Sequence, residues 1–461
     1  MTTKPNPWID RFEVDVSDAQ LCTRIRVDAV PLLNLAKQPV EVAVRQLHKG
    51  FDAILVPTKQ IRNGVRLLLG AARAHAIDCY PSALAFIQRL HRDHDLRVEG
   101  GSTKTPGTSD APSLAPWPPI CYSGLAGAGK SHLLRAVVRC LFPDAFIDIP
   151  HHARVPLVSH YLARVSAGLS LSKLLTPFMQ REDRGINYRA GTICEAAPDE
   201  MFRCGICLLL LDELQFLTYT QTANAAVAKL LLHASKLGPP LAYVANYSLL
   251  HRLLRRPQEE RQRLLSSFYV LEPDLAGSQD RTACLKEKLR VAPEFRGLDL
   301  DRDGKLINDY TFCINRLDTQ LLSLAYRASR ADGSKIVKRK HLDAAYCSID
   351  YFPSRVDVEL LIAQVQGIPA KEGRRPRLDL HCPVGAIKLL DVSTHPAAKE
   401  YEQRRAEAVI TAGLSKATQE AVQSARQPEG SRQRSGKVVK FARPPATLEA
   451  LIKGQKEFRR Q

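Results

Sequence analysis

Two short segments of the chain carry residue types whose spacing fits phosphate chemistry. The first runs from Gly124 to Ser131, reads GLAGAGKS and satisfies the pattern GxxxxGK[ST] between a strand signal and a helix signal. Glycines let backbone N–H groups turn inward around phosphate oxygens, and the N-terminus of the following helix adds a positive dipole. Lys130 is then placed to reach the β- and γ-phosphates, and the Ser131 hydroxyl is placed to ligate Mg²⁺. The predicted nucleotide-binding residues are Gly124, Gly127, Ala128, Gly129, Lys130, Ser131 and His132.

The second segment is an apolar run that ends in two acids, Cys207-Leu-Leu-Leu-Leu-Asp212-Glu213. Such a run predicts a buried strand of a parallel sheet, with both carboxylates at the carboxyl edge where ligands bind. We assign Asp212 to Mg²⁺ and Glu213 to the orientation and polarisation of an attacking water. The two segments together predict an ATPase that uses ATP and Mg²⁺.

Two further signals follow in the chain, and each has a plain structural alternative. Asn246 ends the strand candidate that begins at Leu241, where its amide could contact the γ-phosphate or the lytic water. It could equally be an Asn that terminates a strand. Arg255 and Arg256 belong to an arginine cluster that could supply an arginine finger to a neighbouring subunit, or form a solvated basic face.

Other patterns suggest metal sites but lack the ligands that a site needs. The stretch that begins at Asp299 starts like an EF-hand loop, but Tyr310 stands where the bidentate carboxylate is required. We therefore interpret it as a polar turn. The pair His151-His152 has no further ligand at helical or hairpin spacing, which argues against a metal site there.

The pattern of apolar residues predicts an α/β protein with a parallel sheet. Helical spacing dominates 29–96, a Gly- and Pro-rich stretch spans 100–119, and helical spacing returns over 308–363. Between these, strand candidates at 119–123, 145–149, 155–158, 206–211 and 241–245 alternate with helices. The predicted regions are a mostly helical one over 1–99, a linker over 100–119, a nucleotide-binding core over 120–275, a helical lid over 276–370 and a basic extension over 371–461.

Charge makes nucleic acid a candidate partner. The 461 residues carry a formal net charge of +18, which would be self-repelling without a polyanion, although a basic protein that touches no DNA remains open. Within 426–461, ten Lys or Arg stand against three Asp or Glu, so we expect this tail to be disordered until a partner binds. We see no secretion signal and no membrane span, and the scattered cysteines, Cys204 and Cys207 included, are typical of buried thiols in a reducing cytoplasm.

Taken in order, these segments resemble the AAA+ transposition regulators of the TnsC/TniB family over roughly 51–363. The matching stretches are FDAILVPT from Phe51, GLAGAGKS, GLSLSKLLTPF from Gly168, GINY from Gly185, LLLLDELQFL with Gln215, and RRPQEERQRLL from Arg255. The resemblance assigns the family's nucleotide roles to Lys130, Ser131, Asp212, Glu213 and Asn246, and it makes Arg316 a sensor-2-like residue of the lid.

The resemblance implies a fold and a function. The fold is an AAA+ core with a helical lead-in and a small helical lid. The function is ATP-dependent assembly of subunits, as a ring or a helical filament, on double-stranded DNA, with contacts to a transposase and to a target-selecting adaptor. ATP hydrolysis then controls disassembly. An IstB-like protein or helicase loader, and a signalling or scaffold ATPase that does not bind DNA, are the alternatives.

Overall fold

The computed structural model describes residues 6–98, 115–141, 145–148, 155–165, 170–180, 192–214, 223–366, 377–384 and 403. The described residues from 6 to 384 belong to one compact unit. The predicted basic tail over 426–461, most of the predicted linker, and the pair His151-His152 lie outside the described residues.

Helices precede the sheet, as the apolar periodicity predicts. Their bounds are α1 Pro7–Asp10, α2 Asp18–Ile25, α3 Val40–Ala53, α4 Lys59–Cys79 and α5 Ala83–Val98. Helix α4 begins where the Thr58 side chain accepts a hydrogen bond from the Ile61 N–H, which satisfies one of its open amide groups. Its apolar face, which includes Leu68 and Ala72, joins the same core cluster as Tyr122 of the sheet.

A five-stranded parallel sheet forms the centre of the described chain. Its strands are β1 Ile120–Gly124, β4 Tyr161–Arg164, β5 Leu209–Asp212, β6 Leu241–Asn246 and β7 Ser267–Leu271, in the order β4-β5-β6-β1-β7. The helices that follow these strands cover the sheet and make it a buried layer. They are α6 Lys130–Cys140, α7 Leu171–Met179, α8 Ile193–Cys204, α9 Ala223–Ala234, α10 Tyr247–Leu254 and α11 Gln258–Leu264.

Two of the predicted strands do not join this sheet. They are β2 Ala145–Ile147 and β3 Val155–Leu157, and they pair with each other in an antiparallel ribbon. Residues 148–154 alone separate them. A parallel neighbour needs a crossover of about a dozen residues or more, whereas an antiparallel neighbour needs only a short loop. The short separation along the chain therefore excluded a parallel pairing of β2 with β3. The expectation that both strands belong to the main sheet was wrong.

The lid is a group of helices after the sheet. Its members are α12 Gln279–Arg290, α13 Leu300–Thr311, α14 Asn315–Ala331, α15 Arg339–Cys347 and α16 Phe352–Val365. Asp299, where the EF-hand-like pattern begins, is the N-cap of α13, and its side chain accepts a hydrogen bond from the Asp301 N–H. The acidic run is thus a helix start, and the predicted α/β class with a helical lead-in and a helical lid is confirmed.

A short piece of the predicted C-terminal extension also packs on this body. In the segment 377–384, Leu380 and Cys382 are buried in the cluster that contains Tyr247 of α10 and Leu361 of α16. The sequence did not predict this contact. Among the described helices, none is long and apolar enough to cross a membrane.

Candidate functional site

The loop after β1 has a geometry that two of its glycines make possible. A Cβ at Gly124 would lie 2.4 Å from the carbonyl oxygen of Leu271, so only glycine lets β7 approach β1 this closely. Gly127 has a φ of +84°, and a Cβ there would lie 2.5 Å from the Cβ of Arg316 in the lid. Helix α6 then begins at Lys130, so its first N–H groups face the space inside the loop.

The Lys130 side chain is buried inside this loop. Its Nζ donates hydrogen bonds to the carbonyl oxygens of Gly124, at 2.9 Å, and Leu125, at 2.6 Å. Burial, together with the neighbouring Arg316, lowers the pKa of Lys130 to about 7, while Asp212 acts in the opposite direction. A phosphate group would supply the negative charge that a buried ammonium requires, so the residues present fit a bound nucleotide.

The Asp212 carboxylate lies beside the start of α6, although the two are far apart in sequence. Ser131 Oγ donates to Asp212 Oδ1 at 3.3 Å, and the Glu213 N–H donates to the same oxygen at 2.8 Å. Glu213 has a φ of +63°, a left-handed conformation that is strained for a residue with a side chain and that recurs at functional sites. A hydroxyl and a carboxylate are hard oxygen ligands, which suit Mg²⁺ when phosphate and water complete its coordination.

Asn246 lies at the same edge of the sheet. Its Cα is the register partner of Gly124 in the β1–β6 pair, and the residue lines the pocket that contains Lys130. Although Asn246 directly precedes α10, its side chain makes no hydrogen bond that caps that helix. The placement fits the predicted contact with the γ-phosphate or the lytic water, which stays a prediction.

Arg255 and Arg256 do not line the pocket of their own chain. They lie just beyond the end of α10. Arg256 is held by Glu260, with Nε–Oε2 and NH2–Oε1 distances of 2.7 and 3.0 Å, whereas Arg255 is exposed. The role of an arginine finger for a neighbouring subunit stays a prediction, for which Arg255 is the candidate not held by Glu260.

Much of the pocket wall comes from residues that the motifs did not indicate. Arg316 was predicted only through the family resemblance. Further lining residues come from the segment between α3 and α4, from the start of α4, from the segment after β7 and from the lid. They include Val56, Gln60, Glu272, Asp274, Lys288 and Thr319. Burial raises the pKa of Asp274 to about 6. Recognition of β7 would have exposed Glu272 and Asp274 as residues at the carboxyl edge of the sheet.

His132 also lines the pocket, immediately after Ser131. Burial lowers the pKa of His132 to about 3, and the cationic neighbours Arg135, Lys288 and Arg316 act in the same direction. The imidazole is therefore neutral at physiological pH, and it could offer a hydrogen bond but no charge to a nucleotide.

These features define a P-loop α/β fold, in which a phosphate loop lies between a strand of the parallel sheet and a helix. The phosphate loop follows a strand that lies inside the parallel sheet, between β6 and β7. The acid pair follows β5, and the lid contacts the loop at Gly127.

Comparison with known proteins gives only distant similarities. No family model and no curated protein matches the sequence. The ADP form of the Aeropyrum pernix ORC2 protein shares 15% identity over 72% of this chain and 79% of that chain, with a TM-score of 0.39. Drosophila ORC bound to DNA shares 13% over 76% and 81%, with a TM-score of 0.39. Domain III of the Thermotoga maritima replication initiation protein DnaA shares 14% over 55% and 90%, with a TM-score of 0.31. TM-scores this low do not support an assignment of fold or function. The fold assignment rests on the strand order and the loop geometry.

Proposed function

We propose that this protein is an ATPase that binds ATP with Mg²⁺ between the phosphate loop and the lid. One observation carries the proposal: the Ser131 hydroxyl at the start of α6 meets the Asp212 carboxylate at the end of β5, next to the buried ammonium of Lys130. A cation for phosphates and oxygen ligands for a metal are thus held at one edge of the sheet. Bound Mg²⁺ would neutralise charge on the phosphates.

Each residue then has a distinct part in hydrolysis. Lys130 exchanges its hydrogen bonds to the loop carbonyls for hydrogen bonds to the β- and γ-phosphates, as the loop N–H groups surround them. Ser131 and Asp212 would hold Mg²⁺, which would neutralise charge on the phosphates. The Glu213 carboxylate accepts a hydrogen bond from the attacking water, and the Asn246 amide orients that water or the γ-phosphate. Arg255 of a neighbouring subunit stabilises the charge that develops in the transition state.

The proposed biological role is ATP-dependent assembly on double-stranded DNA as a regulator of transposition. The net charge of +18 and the motif resemblance to the TnsC/TniB family support this role. Lys and Arg contacts to phosphates give affinity without sequence readout, so a second protein must select the target site. We therefore propose a target-selecting adaptor and a transposase as partners, with hydrolysis releasing the assembly.

DNA binding is tested on random duplex with ATP, with ADP and without nucleotide, over a range of salt concentrations. The proposal predicts binding that requires ATP and an affinity that falls linearly in log K against log[salt], with a slope of several units. Salt-insensitive binding, or no binding with ATP, would remove DNA from the proposed function and leave a nucleotide-binding scaffold. Co-purification with a replicative helicase, rather than with a transposase encoded beside this protein, would favour the helicase-loader alternative.

A further inference from the structure

A group of buried charges lies inside the lid. Arg281 of α12 donates from NH1 and NH2 to the two carboxylate oxygens of Asp318 of α14, at 2.6 and 2.7 Å. Lys288 follows Arg281 by two turns of α12, and its Nζ lies 3.2 Å from Asp318 Oδ2. All three residues are at most 5% exposed. We call Arg281, Lys288 and Asp318 the lid triad.

The lid triad joins helices that are separate in the chain. Arg281 Nε donates to Asn308 Oδ1 of α13 at 2.7 Å, so Arg281 connects α12 to both α13 and α14. Burial alone would raise the pKa of Asp318, but Arg281 and Lys288 hold it well below its usual range, so the carboxylate is ionised. A buried carboxylate shared by two cations fixes the relative position of these helices, because removal of Asp318 leaves both cations without their buried partner.

The same helix that carries Asp318 also reaches the nucleotide pocket. Arg316 lies two residues before Asp318, at the first turn of α14, and it lines the pocket together with Lys288. The turn that leads into α14 contains Phe312 and Cys313 with φ values of +49° and +53°. Two successive left-handed residues with side chains are strained, and such a turn persists only where the surroundings hold it.

We propose that Asp318 is a positioning residue, which holds Arg316 over the phosphate loop and thereby gives the site its preference for ATP over ADP. This inference rests on the proposed function and adds to it a contact between the γ-phosphate and Arg316, which lines the same pocket as the phosphate loop. The ion pairs of the lid triad hold the first turn of α14 in place, although the turn at residues 312–313 that leads into it is strained. With the Asp318 charge removed, Arg281 and Lys288 repel each other, the first turn relaxes, and Arg316 moves away from Gly127. The γ-phosphate then loses a cation, whereas the contacts that ATP and ADP share are kept.

The test measures dissociation constants for Mg-ATP and Mg-ADP on the full chain. Arg316→Ala should lower the preference for ATP at least about tenfold, which is the usual value of a hydrogen bond between charged groups. Asp318→Asn should lower it by a similar factor. The double variant should be no worse than Arg316→Ala alone, because both changes remove the same contact.

Asp303→Asn is the matched control for a general loss of lid stability. Asp303 is also a fully buried lid carboxylate, but its ion pair is with Arg302 on α13, and it does not line the pocket that contains Arg316. It should lower the melting temperature and leave the preference for ATP unchanged. If Asp318→Asn does not fold, Asn308→Ala removes one hydrogen bond from Arg281 and should lower the preference about threefold.

The outcomes separate the inference from the proposed function. If the unaltered protein binds neither nucleotide, the proposed function fails. If Arg316→Ala loses the preference and Asp318→Asn keeps it, or if the two effects add, the positioning role is wrong while the nucleotide site stands. An Asn308→Ala protein with the original preference, or an Asp303→Asn protein that loses it, would also overturn the inference.

Discussion

The phosphate loop and the lid approach the same nucleotide pocket, but they are built in different ways. The loop is a continuous stretch of eight residues, Gly124 to Ser131, and backbone conformation sets its shape. The lid face depends on side chains brought together from three helices, with Asp318 bonded to Arg281 and Lys288. Affinity for phosphate is therefore a local property of the chain, whereas discrimination between nucleotides depends on tertiary packing.

This difference has a consequence for substitutions. A change in the loop removes the binding site itself and leaves the core clusters intact. A change in the lid triad leaves the loop intact and alters which nucleotide the pocket favours. The predictions below test how far the two regions can be separated.

The largest effect on ATP binding is expected from Lys130→Ala. Lys130 is the loop cation at the phosphates, so its loss should weaken ATP binding by about 100-fold or more, as for a charge-assisted contact made to two phosphates. The melting temperature should stay close to that of the parent, since burial already disfavours this charge. Lys286→Ala, an exposed lysine of α12, is the control and should bind ATP normally. Tight ATP binding by Lys130→Ala would mean that the loop is not the phosphate site.

A loss of hydrolysis by about a thousandfold is expected from Arg255→Ala, the usual scale for an arginine finger. Arg256→Ala should lose less, because Arg256 is already held by Glu260. The decisive comparison mixes Arg255→Ala protein with Lys130→Ala protein. The Arg255→Ala protein keeps a complete phosphate loop, and the Lys130→Ala protein keeps Arg255. A mixed assembly should therefore regain hydrolysis that neither variant has alone. Without recovery, Arg255 does not act on a neighbouring site.

The two acids of the core should fail in different ways. Glu213→Gln removes the charge that polarises the water and should slow hydrolysis by about 100-fold or more, with ATP binding kept. Asp212→Asn weakens the hold on Mg²⁺, so it should reduce ATP binding that depends on Mg²⁺ and assembly together. Steady-state hydrolysis and nucleotide affinity measured with and without Mg²⁺ distinguish the two. Equal losses of ATP affinity in both variants would contradict the separate roles.

The smallest expected effect is the uptake of a proton when ATP binds. In the nucleotide-free protein the pKa of Lys130 is about 7, so at pH 8 this amine is mostly neutral. Bound phosphate favours the ammonium, so ATP binding at pH 8 should take up close to one proton. At pH 6 Lys130 is already charged, and its uptake should vanish. Titration calorimetry in two buffers of different ionisation enthalpy measures this number, and equal uptake at both pH values would exclude Lys130 as its source.

The sequence could indicate the candidate phosphate loop and acid pair because the geometry of each segment is local, and the roles of their residues in binding and hydrolysis remain predictions. Gly127 and Lys130 lie within one turn, and Asp212 ends a strand that is apolar throughout. The structure adds that these segments meet, with Ser131 Oγ 3.3 Å from Asp212 Oδ1. The individual roles of Asn246 and Arg255 remain predictions.

Other parts could not be predicted because the relevant contacts are distant in the chain. Strand β4 is short and polar at its end, so its apolar signal is weak. The sequence of β7, SFYVL, is apolar and typical of a strand, so this strand could have been predicted. The lid triad has no spacing rule, since Arg281 and Asp318 meet only through the packing of α12 on α14. Leu380 and Cys382 are two apolar residues within a basic extension, and their contact with Tyr247 depends on tertiary structure.

The link between the nucleotide site and DNA is tested most directly by the lifetime of Glu213→Gln protein on duplex DNA after ATP is washed out. Hydrolysis at Glu213 is proposed to release the assembly. The variant should therefore remain on DNA far longer than the parent protein, as measured by filter binding or by negative-stain imaging over time. A Glu213→Gln protein that leaves DNA as fast as the parent would show that hydrolysis at this site does not control disassembly.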